Sequence, residues 1–212
     1  MSLMDDNHRG QIIDLVKLYN INCIVETGTH MGDTTERFAL MFPDIEIHTV
    51  EIDHESHYKA SARLSKFKNV TCHFGSSDKV LETLIPTLLN KKIFFYLDAH
   101  WWEYWPLKNE LRVISKYLYN NSIIIVDDIS IPNVLPPGMY GYYDITNPKN
   151  VDLTYENIKD DVDKCFETYI TYYNKAIENN SGKLFCIPTN WFNLLNEEDK
   201  LYINKDIYHQ NK

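Results

Sequence analysis

KIFFYLDAH, residues 92–100, and SIIIVDDIS, residues 122–130, are the two most continuous apolar runs in the chain, and each stops on aspartate. An exposed sheet face would impose alternation of polar and apolar residues. Unbroken runs of Ile, Phe, Leu and Val instead suit strands buried on both faces, which is the mark of a parallel sheet covered by helices. Working outward, NCIVETG (22–28), DIEIHTVEID (44–53) and VTCHFG (70–75) are shorter runs of the same kind, ending in glycine or acid. Helical spacing falls between them, at Thr34–Met41, Glu55–Lys66, Lys79–Leu89 and Pro106–Tyr119. Pro106 suits a first helical turn, where the missing N–H would have had no partner. Five strand and helix alternations predict an α/β, doubly wound, mostly parallel sheet with helices on both faces.

Beyond residue 130 the texture changes. IPNVLPPGMYGYYDITNPKNVD is rich in proline and shows no helical period, so residues 130–153 read as a substrate loop or lid. From Thr154 to Glu178 the apolar residues Ile158, Val162, Phe166, Tyr169, Ile170, Tyr173 and Ile177 fall three or four apart. That spacing predicts one long amphipathic helix, ended by Ser181-Gly182 and followed by a late strand, KLFCIPT (183–189). The last fifteen residues are polar enough for a loosely held tail. At 212 residues the chain can bury roughly 70% of its extended surface, so residues 1–212 are expected to form a single domain with a core at 20–130 and a helix and strand at 154–195.

The bulk chemistry narrows the function. A formal net charge of −9 leaves no basic field for phosphates, so nucleic acid is not expected as a partner, whereas a small-molecule substrate is. No apolar run approaches the ~20 residues of a membrane span and Met1–Gly10 is polar, which predicts an intracellular, cytoplasmic, soluble protein. Cys23, Cys72, Cys165 and Cys186 lack C-x-x-C spacing and read as buried free thiols.

In an open α/β sheet ligands bind beyond the carboxyl ends of the strands. The first strand ends in Glu26-Thr27-Gly28-Thr29-His30-Met31-Gly32-Asp33-Thr34, a turn whose glycines let backbone approach a ligand. His30 stands where the dinucleotide fingerprint needs its second glycine, which speaks against a nicotinamide oxidoreductase. Twenty-three residues beyond Gly28 the second strand delivers Glu51, a carboxylate suited to the two hydroxyls of a ribose. The third ends in Gly75-Ser76-Ser77-Asp78, where Ser76 and Ser77 suit the edge of an adenine. Asp98 closes the fourth strand, and Asp127 and Asp128 close the fifth. Adjacent strand ends lie ~5 Å apart, so three carboxylates can converge, and a hard divalent cation such as Mg²⁺ most simply offsets their repulsion. Taken alone, Asp127-Asp128 would also serve as a turn or helix cap.

On these motifs the chain resembles the class I S-adenosylmethionine-dependent methyltransferases over residues 20–130. The D-x-H strand end with V-D-D about thirty residues on resembles the metal-dependent, macrocin-type sugar O-methyltransferases. The resemblance implies a Rossmann-like sheet of about seven strands with one reversed near the end, and S-adenosylmethionine as cofactor. It places Glu26 at the methionine end, with Gly28, Thr29, Gly32 and Thr34 along the cofactor and Asp98 beside it. Asp98, Asp127 and Asp128 would be the metal ligands. The expected reaction is methylation of a hydroxyl on a sugar-like substrate, with His100 as first choice of base and Asp98 second. The alternatives are a metal-independent small-molecule methyltransferase using His100 alone, or a non-catalytic nucleoside-binding module. Trp101, Trp102 and Trp105 are expected to brace the proline-rich segment, or in part to line the pocket.

Overall fold

A computed structural model describes residues 6–100, 105–129, 154–175 and 182–194. Seven strands form one sheet in the order β3-β2-β1-β4-β5-β7-β6. β1 (Cys23–Thr27), β2 (Glu46–Glu51), β3 (Val70–Phe74), β4 (Ile93–Leu97) and β5 (Ser122–Val126) pair in parallel. The residues of β1, β4 and β5 are buried without exception, as their unbroken apolar runs require. β7 (Gly182–Pro188) runs antiparallel to both β5 and β6 (Tyr169–Lys175), and is the one reversed strand.

Two hydrophobic layers sandwich the sheet. On one face Val25, Phe95, Leu97 and Val126 meet Leu81, Leu111, Ile114, Ile158 and Val162 from α4 (Ser77–Leu84), α5 (Leu107–Tyr117) and α6 (Tyr155–Cys165). On the other, Ile24, Phe94, Tyr96 and Ile125 meet Ile12, Leu15, Phe38 and Trp191 from α1 (Asp6–Leu18), α2 (Asp33–Met41) and α7 (Thr189–Phe192). α3 (His54–Leu64) starts where the Asp53 side chain accepts a hydrogen bond from the Ser56 N–H. The four cysteines are free, and three of them are buried.

The single long helix expected over Thr154–Glu178 is instead α6 followed by strand β6. Tyr169, Ile170 and Tyr173 satisfy helical spacing, but YITYY is also a dense run of aromatic and β-branched residues, which favour a pleated surface. β7 supplies a partner in unbroken register, from Tyr169 opposite Pro188 to Lys175 opposite Gly182, and the tertiary pairing wins. Gly182 therefore opens a strand rather than ending a helix. The helix α1 was not anticipated. No helix among the described residues is long and apolar enough to cross a membrane. Trp101, Trp102, the 130–153 loop and the expected tail lie outside the described residues.

Candidate functional site

The parallel ladder continues past the strand ends and fixes the loops that follow. Asp98 N donates to Thr27 O (3.1 Å), Asp127 N to Leu97 O (2.9 Å), and Gly75 N to Glu51 O (2.9 Å). Gly28 and Thr29 both donate to Val50 O. These bonds gather the carboxyl ends of β1, β2, β4 and β5 around one groove.

Glu26 is 1% exposed, and one of its oxygens, Oε2, accepts hydrogen bonds from the hydroxyls of Thr35 and of Thr49 (2.7 Å). Thr49 in turn meets Thr29, 2.6 Å between hydroxyl oxygens. Burial pushes the Glu26 carboxyl up to about 7, against the two hydroxyls, which pull it down. Its Oε1 is buried with no hydrogen-bond partner among the described residues. Thr34, half-buried in the first turn of α2, stands one position before the threonine that reaches Glu26.

Glu51 is clamped by backbone: Oε2 accepts from His30 N (2.6 Å) and Oε1 from Asp53 N (2.8 Å). His30 takes a left-handed conformation, φ 48°, to present that N–H. A carboxylate oxygen has two acceptor sites, so both remain able to bind a hydroxyl. Gly28 also has positive φ, 84°, but its reason differs from the expected one. A Cβ there would lie 2.5 Å from Asp98 O and 3.0 Å from Ala99 Cα, so the close approach is to the backbone after β4. At Gly32, φ 81°, a Cβ would press on Leu64, so α3 supports the turn.

Ser76 and Ser77 do not both face the groove. Ser76 Oγ donates to Asp78 Oδ1 (2.5 Å), and Ser77 is buried in the first turn of α4 facing Glu110. Glu110 is fully buried, its carboxyl pushed up to about 7 by burial although the Ser77 and Thr27 hydroxyls oppose this. Nothing in the sequence separates Glu110 from the exposed charges of α5.

The three expected metal carboxylates do not converge on one point. Donor atoms of Asp98, Asp128 and His100 lie within 4.8 Å of one another, while Asp127 is engaged elsewhere. Its Oδ1 accepts from the Lys183 ammonium and from Asp128 N (2.9 Å), and its Oδ2 from the Tyr96 hydroxyl (2.5 Å). Lys183 is 1% exposed, and its pair with Asp127 is wholly shielded. Asp127, expected as a third ligand, thus has a buried ammonium as its partner here, since a buried carboxylate is stabilised by a buried ammonium. Asp128 has φ 53° and a carboxylate oxygen in one group with donor atoms of Asp98 and His100. Burial raises the Asp98 carboxyl well above its ordinary range, and the charges of Asp127 and Asp128 raise it further. His100 Nδ1 lies 3.7 Å from Asp98 Oδ1, and its ring stacks on Trp105 at 4.9 Å and 18°. Burial lowers the His100 pKa, which keeps the imidazole neutral near neutral pH. Lys183, Tyr96, Thr35 and Glu110 were all missed from sequence.

No family model and no curated protein matches the chain. Solved structures do. A Staphylococcus aureus protein assigned as a caffeoyl-CoA O-methyltransferase has 19% identity and a TM-score of 0.60, over 87% of this chain and 85% of its own. The O-methyltransferase TomG of Streptomyces achromogenes, involved in tomaymycin synthesis and solved with S-adenosylmethionine, has 18% identity and a TM-score of 0.61, over 85% and 79%. A Podospora anserina methyltransferase solved with S-adenosylhomocysteine has 16% identity and a TM-score of 0.56, over 87% and 79%. With the strand order 3-2-1-4-5-7-6 and its single reversed strand, these likenesses give the chain a Rossmann-like methyltransferase fold.

Proposed function

We propose that the chain is an S-adenosylmethionine-dependent O-methyltransferase acting, with a divalent cation such as Mg²⁺, on a hydroxyl of a small, sugar-like substrate. The observation that carries this reading is the gathering of Asp98, His100 and Asp128 at the ends of β4 and β5, beside the line of Glu26 and Glu51.

The residues suit both groups. The unsatisfied Oε1 of Glu26 offers an acceptor to the ammonium at the methionine end, and Glu51, fixed by two backbone N–H groups, offers its oxygens to the ribose hydroxyls. Asp98 and Asp128 supply hard oxygen donors, and the pKa of Asp98, raised first by burial and then by the charges of Asp127 and Asp128, would be lowered by a bound cation. When bound, the cofactor supplies an already activated methyl, and the cation acidifies and orients the acceptor hydroxyl.

The chain's own part is alignment and proton transfer. Thr35 and Thr49 hold the Glu26 carboxylate from one side. Asp127, anchored by Lys183 and Tyr96, fixes the backbone of Asp128. His100, as a neutral imidazole, takes the acceptor proton, with Trp105 stacked on its ring. Asp98 faces it and stabilises the imidazolium that forms. One observation favours the metal-free alternative: Lys183 already places a fixed cation within the carboxylate cluster.

Titration calorimetry and thermal melts separate the readings. S-adenosylhomocysteine is expected to bind and NAD not to; the opposite outcome ends the proposal. Mg²⁺ is expected to raise the melting temperature of the wild type and not of Asp128→Ala. Turnover on a hydroxylated acceptor that survives chelation selects the metal-free route. Turnover unchanged in His100→Ala removes His100 as base.

A further inference from the structure

We propose a second cation site, suited to zinc, at the opposite end of the sheet, formed by Cys23, Glu46 and His48. β1 and β2 begin in register with Cys23 opposite Glu46, and Val25 opposite His48. All four residues therefore share one face, at the amino ends of the strands whose carboxyl ends carry Glu26 and Glu51. The Cys23 thiol, a Glu46 carboxylate oxygen and a His48 ring nitrogen lie within 4.8 Å of one another. Thiolate, imidazole and carboxylate together are a donor set for zinc rather than for Mg²⁺. A tetrahedral zinc holds its donors ~3.5 Å apart. Glu46, whose side chain is 40% exposed, has the freedom to close the difference.

A second observation concerns the shell behind the donors. His48 Nδ1 lies 3.0 Å from His73 Nε2, and His48 Nε2 lies 3.0 Å from Glu46 Oε1. Without metal the chain of bonds is satisfied when His73 donates to His48 and His48 Nε2–H donates to Glu46. Reversing the His48–His73 bond leaves His48 Nε2 with a lone pair aimed at the space shared with Glu46 and Cys23. That is the ligating tautomer, with the far ring nitrogen held by a hydrogen bond as in protein zinc sites. The metal takes the place of the Nε2 proton. Burial lowers the His73 pKa, with the His48 and His57 charges next, which keeps it a neutral acceptor.

Charge is consistent with this occupant. A divalent ion with one thiolate and one carboxylate is locally neutral. Lys91 Nζ, 3.1 Å from Glu46 Oε2, is therefore not repelled by a net charge, and it orients the carboxylate with Oε1 left for the ion. The Cys23 thiol is pushed up to about 12, first by burial and then by Glu46, so binding releases a proton and tightens as pH rises. None of these residues has a part in methyl transfer. A bound ion would clamp β1 to β2, and β3 through His73, behind the strands that carry the cofactor residues.

Cobalt is the informative probe, because a thiolate ligand produces a ligand-to-metal charge-transfer band that oxygen and nitrogen donors do not. One equivalent of Co²⁺ added to the chelator-treated, full-length protein is expected to give that band in the wild type and in Asp128→Ala. The band should disappear in Cys23→Ser and in His48→Gln, with far-UV circular dichroism confirming that both remain folded. Zn²⁺ should raise the melting temperature of Asp128→Ala and leave that of the double variant Cys23→Ser with Asp128→Ala unchanged. Absence of the band in the wild type, its persistence in Cys23→Ser, or equal stabilisation of both variants by Zn²⁺ would overturn the proposal.

Discussion

Replacing Lys183 by methionine tests the buried pair under the strand-end carboxylates most directly. Lys183 is 1% exposed and the Asp127 side chain is fully buried, so the substitution removes the ammonium from a carboxylate that also accepts from Tyr96 and the Asp128 N–H. Removing one partner of a buried pair costs about 3–5 kcal/mol, because the remaining charge stays out of water. In a chain of this size ~1 kcal/mol moves the melting temperature by roughly 2–4 °C. Lys183→Met is therefore expected to melt about 6–20 °C below wild type. The sign with pH follows from the same cause. A stranded buried carboxylate has a folded pKa above its unfolded value, so the deficit is smallest in acid and grows as pH rises through that window. The double variant Lys183→Met with Asp127→Asn keeps an acceptor for Tyr96 and removes the charge, and should recover most of the loss. Melting followed by far-UV circular dichroism at several pH values reads all three variants. A single variant within about 1 °C of wild type, or a double variant no better than the single, refutes the pairing.

Two further outcomes follow from the groove. Gly28→Ala places a Cβ 2.5 Å from Asp98 O at φ 84°, and should lose at least about 2 kcal/mol in urea unfolding, from left-handed strain and a backbone clash together; a midpoint equal to wild type contradicts this. Burial raises both Glu26 and Glu110 from 4.5 to about 7, so each binds its proton more tightly folded than unfolded. Their stabilisation is complete below about pH 4.5 and is lost as pH rises to about 7, by roughly 3 kcal/mol apiece. Glu110→Gln, which cannot ionise, should flatten that decline in urea melts between pH 5 and pH 7.5; an unchanged slope shows that Glu110 is not the titrating group.

The sequence made the strand ends legible because a strand buried on both faces has to be apolar until it stops, and the first polar residue is then at the groove. That reasoning applies to β4 and β5, whose apolar runs stop at Asp98 and at Asp127-Asp128. It fails where the partner comes from another element. Helix α2 turns about 100° per residue, and its rotation decides that Thr35 rather than Thr34 meets Glu26. Lys183 in GKLFCIP reads as a polar flank at the start of a strand. Only the antiparallel pairing of β7 with β5, Leu184 opposite Val126, brings it to Asp127. The tyrosines of β6 fit periods of 2 and of 3.6 alike over so short a run, and the choice between them is made by β7.

Gly28 and Asp127 each have a structural partner that the sequence does not reveal. Gly28 is required by the backbone of β4 rather than by a ligand, so the turn between β1 and α2 and the strand end that carries Asp98 are one rigid unit. Asp127 sits beside Asp98 and Asp128 and is paired with Lys183. With Asp98 deprotonated, as ligation would require, three carboxylates and one ammonium would leave two negative charges at the ends of β4 and β5, which one divalent cation would balance. On the metal-assisted proposal Lys183 would limit the group to one such cation, and Asp127 accepts from the backbone N–H of Asp128. On the metal-assisted proposal the internal lysine and an external cation are complementary parts of one charge balance, whereas on the metal-free alternative Lys183 is the cation that serves the cluster.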